Sequence, residues 1–312
     1  MESAEIDLEI PRELAGKRLD QALAELLPGH SRSQIQRWIR DGLVSMGETR
    51  WRPRDKVSGG EQVMISVPAS PEVRLAAEAI PLDIIFEDEA LLVIDKPAGL
   101  VVHPGAGNAG GTLLNALLNH EPTLAELPRA GIVHRLDKAT TGLLAIAKTD
   151  AVRLSLIAQL QQRSVAREYL AVVQGVMVAG GTVDIPIGRH HKDRLRMAAT
   201  TSGKPAVTHY RVKEKYAAHT LLRVNLETGR THQIRVHMAH IHHPLVGDPV
   251  YGGRFMLPPG SSEILRETLQ GFKRQALHAH KLGLLHPVTR EELSWRSEMP
   301  EDFRLLCDAL RG

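Results

Sequence analysis

The residue types most able to do chemistry in this chain meet in one short segment, His134-Arg135-Leu136-Asp137-Lys138-Ala139-Thr140-Thr141-Gly142-Leu143-Leu144. One carboxylate, Asp137, stands between a basic dipeptide and a Thr-Thr-Gly turn that leads into the apolar run Leu143 to Ala147. The turn and the following strand would hold that carboxylate at a sheet edge, inside a cleft, with Arg135 as the nearest cation to pair with it. A carboxylate presented in this way serves as a nucleophile or a base. The stretch carrying His232, His237, His240, His242 and His243 is a second group of interest, because a metal hydrolase would want such imidazoles. It holds no His-Glu-x-x-His pair, and the nearby carboxylate, Asp248, follows a Pro-Leu-Val-Gly loop. Packing, capping and polar contacts account for these histidines more simply, and no metal is expected.

Two folding units can be read along the chain. From Arg18 to Leu27, leucines at 19, 23, 26 and 27 follow one face of an amphipathic helix. Ser31-Arg32-Ser33 suits the start of a second helix over Gln34 to Arg40, and Gly42 suits its stop. Leu43 to Met46 and Gln62 to Val67 read as short strands, so residues 16–67 are expected to form a small module. Ser66-Val67-Pro68-Ala69-Ser70-Pro71 begins a stretch that disfavours regular structure as far as Pro81, and residues 68–81 are expected to be a linker.

Residues 82–312 are expected to form the larger domain. Ile84 to Glu87, Leu91 to Asp95, Leu143 to Lys148, Tyr169 to Gln174, Ala206 to Val212, Thr220 to Glu227 and Ala276 to Leu285 have strand composition. Thr112 to His120, Asp150 to Arg163 and Thr231 to Ile241 read as helices, with Thr112, Asp150 and Thr231 as N-caps. Strands close together in sequence, without regular βαβ crossovers, predict an α+β fold with a mixed, largely antiparallel sheet flanked by helices and loops.

Composition excludes several classes. The 312 residues are 43% hydrophobic and 24% charged, ordinary for a globular chain. The acidic start, Met1-Glu2-Ser3-Ala4-Glu5, lacks a secretory pattern, and no apolar run approaches membrane-spanning length, so a cytoplasmic protein without a membrane partner is expected. A lone cysteine, Cys307, excludes an intramolecular disulfide. Gly105-Ala106-Gly107 lacks the strand-then-helix setting of a dinucleotide loop, and no cofactor is expected. The net charge of +3 hides two basic segments: Gly16 to Gly60 carries +4 and Arg189 to Arg235 carries +8, leaving −7 elsewhere. Two such segments, with arginine outnumbering lysine, favour phosphate contacts with an anionic polymer.

Arg18-Leu19-Asp20, Ser31-Arg32-Ser33, Ile39 and Gly42-Leu43-Val44 resemble the pattern of the S4 RNA-binding domain, with Met46 before Gly47 where that family often has Asn. In that pattern Arg32, Arg37 and Arg40 carry charge to RNA phosphates. The Asp137 segment resembles the catalytic motif of the RluA family of pseudouridine synthases, with Thr141 where Ser is common. Arg167-Glu168-Tyr169-Leu170-Ala171, Thr228-Gly229-Arg230-Thr231-His232-Gln233-Ile234-Arg235-Val236-His237, Lys96-Pro97-Ala98-Gly99-Leu100 and His103-Pro104-Gly105 agree with further motifs of that family, in order.

The resemblance implies isomerisation of uridine to pseudouridine: the bond from ribose to N1 breaks, the uracil turns, and C5 joins the ribose. It implies that Asp137 is the acting carboxylate, that Tyr169 stacks on the uracil and that Arg235 pairs with Asp137. It further implies that the uridine flips out of its stem, that Arg135 fills the vacated place, and that Arg230 and His232 belong to the RNA-contacting surface. Attack on the ribose carbon, addition to the uracil ring and proton removal are all open to Asp137 as a first step. Lys204-Pro205-Ala206-Val207-Thr208-His209-Tyr210 and the run from His240 to Arg254 narrow the resemblance to members acting on large-subunit 23S ribosomal RNA or its precursor particle, in the helix 69 stem-loop. A member acting at other 23S uridines and a non-catalytic ribosome-assembly factor are the alternatives, and a monomer is the family expectation.

Overall fold

The computed structural model describes residues 4–28, 30, 32–47, 50–67, 76–105, 108–193, 196–253 and 257–312. Ser31, the first eight residues of the expected linker, Ala106, Gly107 and Arg254 therefore lie outside the described residues. The chain divides into two compact units, Met1–Arg74 and Leu75–Gly312.

In the first unit, β1 (Ala4–Glu9) is followed by α1 (Leu19–Leu26), α2 (Arg32–Arg40), β2 (Val44–Ser45) and β3 (Gln62–Val67). The sheet order is β1-β3-β2, all antiparallel. Leu19 and Leu23 of α1 meet Ile35, Trp38 and Ile39 of α2 over Val63 and Ile65, as the leucine spacing predicts. Gly42 ends α2 with a φ of 77°, a left-handed turn that glycine adopts without steric cost. β1 precedes the region where the sequence shows a clear pattern; its Ala4-Glu5-Ile6-Asp7-Leu8-Glu9 alternation is legible only once β3 is known to be its partner.

The side chain of Asp20 is fully buried, and its carboxylate accepts bonds from Arg18, Arg32 and Gln36. Burial opposes its charge, but these donors outweigh that penalty and hold its pKa below the ordinary carboxylate value. An Asp20→Asn variant is expected to lose about 1–3 kcal/mol. A group whose folded pKa is depressed contributes stability above its unfolded pKa, lost as pH falls through the folded one. The variant is thus expected to show a flatter stability profile below about pH 4. Urea unfolding followed by tryptophan fluorescence, with Trp38 buried in the core of the same unit, measures both. Unchanged stability at pH 7 would remove Asp20 as the organising contact.

In the second unit, β4 (Asp83–Glu87), β5 (Leu91–Lys96), α3 (Leu113–His120), β6 (Thr141–Ala147), α4 (Asp150–Gln161) and β7 (Ala166–Gln174) come first. They are followed by β8 (Gly181–Asp184), β9 (Ile187–Arg189), β10 (Met197–Ala199), β11 (Val207–Lys215), β12 (His219–Leu226) and α5 (Gln233–His240). The chain ends with α6 (Glu263–Gly271), β13 (Leu277–Leu285), β14 (Glu292–Arg296) and α7 (Glu301–Arg311). The main sheet runs β4-β5-β6-β13-β7-β12-β11-β8, with β14 on β13 and β9 paired with β10 apart from it. Among the described residues its pairings are antiparallel except β6 with β13, which makes the fold α+β with the mixed sheet that the sequence predicts.

β6 is buried along its whole length, so its residues show no polar alternation. Its two faces feed different cores: Leu144 and Ile146 pack with α3, whereas Leu143, Ala145 and Ala147 pack with Val152 and Leu156 of α4. β7 divides likewise, with Leu170 and Val172 against Phe303 and Leu306 of α7. Tyr169, Ala171 and Val173 face the α3 side, where Ile234 and Met238 of α5 also pack. Each fully buried leucine contributes about 1.5–3 kcal/mol by leaving water. This parity puts Tyr169, the Asp137 loop and α5 on one side of the sheet.

Two expected caps are corrected. Thr149, not Asp150, caps α4: its hydroxyl accepts the Val152 N–H, and Asp150 takes the first turn, where its charge suits the helix dipole. α5 begins after His232 rather than Thr231, and His232 has left-handed backbone angles, φ 56° and ψ 22°. Capping residues are normally extended, so a helix entry through a left-handed residue carries no local sequence signal.

Candidate active site

Asp137 lies on the loop before β6, and the loop is tied down on every side. His134 Nε2 accepts the Ala145 N–H at 3.0 Å. Burial pushes that imidazole down to about 3, so it is neutral and free to accept. Leu136 sits in the core. The Thr140 N–H closes a turn onto the Asp137 carbonyl at 3.0 Å. Gln275 donates to the Thr140 hydroxyl at 3.0 Å, and Arg274 donates to the Ala139 carbonyl at 3.2 Å. Gly142 follows with a φ of 111° at the parallel pairing with Ala279; a Cβ there would stand 2.3 Å from the Ala279 carbonyl oxygen, so only glycine fits.

Lys96, at the end of β5, is completely buried. Its ammonium donates to the carbonyls of Pro97, Leu100 and Lys138 at 2.7, 3.0 and 3.1 Å, joining the Pro97-to-Leu100 loop to the backbone beside Asp137. Burial lowers its pKa to about 8, opposed by the Asp137 charge. Three acceptors match the three ammonium protons, so the charged form is satisfied at neutral pH.

The partner of Asp137 comes from α5. Arg235 Nη1 donates to Asp137 Oδ2 at 3.0 Å, across 98 residues of sequence. The other edge of the same guanidinium grips Asp248, Nε to Oδ2 at 2.7 Å and Nη2 to Oδ1 at 2.9 Å. Asp248 also accepts the N–H groups of Val250 and Tyr251 at 2.9 and 3.0 Å, and its side chain is fully buried. Burial opposes its charge, but Arg235 and these amides bring its pKa below the usual range. Arg235 is 4% exposed, and its pKa is raised by the two carboxylates against its own burial. Arg135 is not that partner, contrary to the expectation from adjacency: with Leu136 anchored in the core, Arg135 is exposed at the cavity lining, where it is free to reach a ligand.

Asp137, Tyr169, Arg135, Arg230, His232 and Arg235 all line one cavity of about 1030 Å³. That is at the upper end of the roughly 300–1,000 Å³ of small-molecule sites and is ample for a nucleotide. Tyr169 is 6% exposed, and burial raises its pKa, so the phenol keeps its proton. Arg129, Arg163 and Arg167 add further cations to the lining. The third motif is organised by Gln233: its carbonyl oxygen accepts from the Thr228 hydroxyl and the Arg230 N–H, and its amide donates to the Val207 carbonyl and the Thr208 hydroxyl.

The histidine stretch disperses. His237 bonds Thr208 and the Ile185 carbonyl, His243 meets the Gln174 carbonyl, and His232 faces the cavity. Among the described residues no cluster of metal-ligating side chains forms. In the first unit Arg37 and Arg40 are exposed, while Arg32 is engaged with Asp20. Sequence reasoning missed Lys96 as a loop clamp, Asp248 as the anchor of Arg235, and Tyr251. Each lay in a motif that was noticed, but none had a local signal of whom it meets.

Residues 90–240 match the RNA pseudouridylate synthase family, and residues 17–63 match the S4 domain. The chain is 57% identical over 303 residues to the Pseudomonas aeruginosa protein named ribosomal large subunit pseudouridine synthase D, covering 97% of this chain and 95% of that one. The protein of the same name from Escherichia coli strain K12 is 56% identical, covering 95% and 91%. The solved structure of human RNA pseudouridylate synthase domain containing 4 superposes with a TM-score of 0.59 at 28% identity, over 73% of this chain and 93% of that one. The chain belongs to the RNA pseudouridylate synthase family, in its RluA-type branch with an S4 domain, and is an isomerase acting on RNA uridine. Among the described residues no helix is long and apolar enough to cross a membrane.

Proposed function

We propose that this enzyme isomerises uridines of 23S ribosomal RNA, in the helix 69 stem-loop, with Asp137 as the acting carboxylate. The observation that carries the catalytic reading is the Asp137–Arg235 ion pair at 3.0 Å on the wall of a cavity that Tyr169 also lines. The identity to relatives whose names specify the large ribosomal subunit supports the substrate. The S4 module, residues 16–67, brings Arg32, Arg37 and Arg40 to RNA phosphates; residues 68–81 join it to the catalytic domain, residues 82–312. The enzyme works in the cytoplasm.

A stem uridine reaches Asp137 only by flipping out, which costs a few kcal/mol of unstacking. Arg135, exposed at the cavity lining, takes the vacated place in the stack, and Arg230 and His232 contact the flanking RNA. Tyr169 holds the detached uracil by stacking, without a covalent bond, while the proton leaves C5 and N1 gains one. The ring face carries this stacking, and the phenol, which burial keeps protonated, is the alternative relay for the C5 proton. Tyr169→Phe is therefore expected to keep most activity, whereas Tyr169→Leu loses about 1–3 kcal/mol of base stacking, roughly five- to 150-fold. Tritium release from a 23S transcript labelled at uridine C5 measures both. Equal loss in Phe and Leu would place the role on the hydroxyl instead.

The direct test is incubation with a uridine-containing 23S transcript and mapping of carbodiimide-dependent primer-extension stops. Stops in helix 69 are expected. Stops only at other uridines would overturn the site assignment, and no stops at all would overturn 23S RNA as substrate.

A further inference from the structure

Tyr251 lies under the Asp137 site, with the guanidinium carbons of Arg235 and Arg196 5.0 and 5.4 Å from its ring centre. Its hydroxyl accepts the Met197 N–H at 2.9 Å and stands 2.9 Å from His232 Nδ1. The hydroxyl has one proton to donate, and among the described residues its remaining partner is that Nδ1. Donation of that proton makes Nδ1 the acceptor and leaves the imidazole proton on Nε2. The far side of the ring gives the same answer, since Nε2 lies 3.9 Å from Asp137 Oδ1 and a proton there faces the carboxylate. His232 holds this pose from a left-handed backbone, which non-glycine residues rarely adopt and which is retained where surrounding structure demands it.

We propose that His232 is a positioning residue for Asp137: held by Tyr251 as the Nε2–H tautomer, it offers a donor to the Oδ1 oxygen that Arg235 leaves free. Arg235 alone grips one oxygen, and the carboxylate can turn about its Cβ–Cγ bond. A donor on the second oxygen limits that rotation, and a small turn toward His232 shortens 3.9 Å to a hydrogen bond. Burial and the Arg235 and Arg135 charges outweigh the two aspartates and lower the basicity of His232, so it orients the carboxylate without adding a second full charge beside it. The inference rests on Asp137 being the acting carboxylate.

The test uses the full chain labelled with 15N at histidine, with the His232 signals assigned by their loss in His232→Gln. The Nε2-protonated tautomer is expected, giving way to a tautomer mixture in Tyr251→Phe; an Nδ1-protonated wild-type ring overturns the proposal. In tritium release, His232→Met, which lacks the donor, is expected to lower kcat about tenfold, with a smaller change in KM from the lost RNA contact. His232→Gln, whose amide reaches the position of Nε2, restores most of it. A Met variant at the wild-type rate, or a Gln variant no better than Met, overturns it. Melting curves of both variants identify misfolding, and the tautomer measurement stands regardless. If Asp137→Asn stays active, the reading of Asp137 fails. If it is inactive while His232→Met works at the wild-type rate, only the His232 inference fails.

Discussion

Asp137→Asn is expected to reduce pseudouridine formation on the order of a thousandfold or more while leaving the fold and RNA binding intact. Asparagine has the same shape, and its amide oxygen still accepts from Arg235 Nη1 where Asp137 Oδ2 does now. Asp248 remains to balance the guanidinium charge, so no cation is left uncompensated. What disappears is a carboxylate able to attack or to take a proton, and each possible first step needs one. Tritium release measures the loss, and filter binding of the same transcript measures affinity, which is expected to change less than about threefold because the arginines proposed to contact phosphates are untouched. A variant within tenfold of wild type would show that the chemistry belongs to another group.

Asp248→Asn is expected to cost both stability, about 3 kcal/mol, and rate, on the order of a hundredfold. Asp248 accepts two bonds from Arg235 and two from the backbone of its own turn, in a side chain with no exposure. The amide replaces one acceptor with a donor that would face the guanidinium or a backbone N–H, leaving a buried bond unmade. With the amide nitrogen at the Oδ2 position the Arg235 Nε–H loses its acceptor; at the Oδ1 position Arg235 Nη2 and the Tyr251 N–H, next to the ring that supports His232, lose theirs. Thermal unfolding and kcat separate the two losses. Full stability with full activity would reduce Asp248 to a bystander. Arg235→Lys tests the same point from the other side, since an ammonium cannot make the paired bonds to Asp248 and still reach Asp137.

Much of the scaffold was readable because it rests on short-range rules. The leucine spacing of α1, the glycine after α2 and the Thr112 cap act within a few residues, and each is seen where it was expected. β1, β8, β9, β10, β14, α6 and α7 went unassigned: the strands are short or partly exposed, and their pairing depends on partners far along the chain. The errors at Asp150 and Thr231 are also local, because a cap depends on backbone angles that neighbouring Thr149 and His232 adopt instead.

By itself the sequence determined which groups are available: a carboxylate before a tight turn, a tyrosine on a buried strand and an arginine in a polar-rich helix. The family motifs already place those types in order, since order is a property of one dimension. The resemblance also pairs Arg235 with Asp137; only the tertiary structure decided between that arginine and adjacent Arg135, and brought in Asp248 and Tyr251 to hold Arg235 and His232 in turn. Ion pairs and hydrogen bonds select by distance in space, and that distance is set by the packing of β6, β7 and α5 on one face of the sheet, a cooperative result of burial to which no single local pattern points.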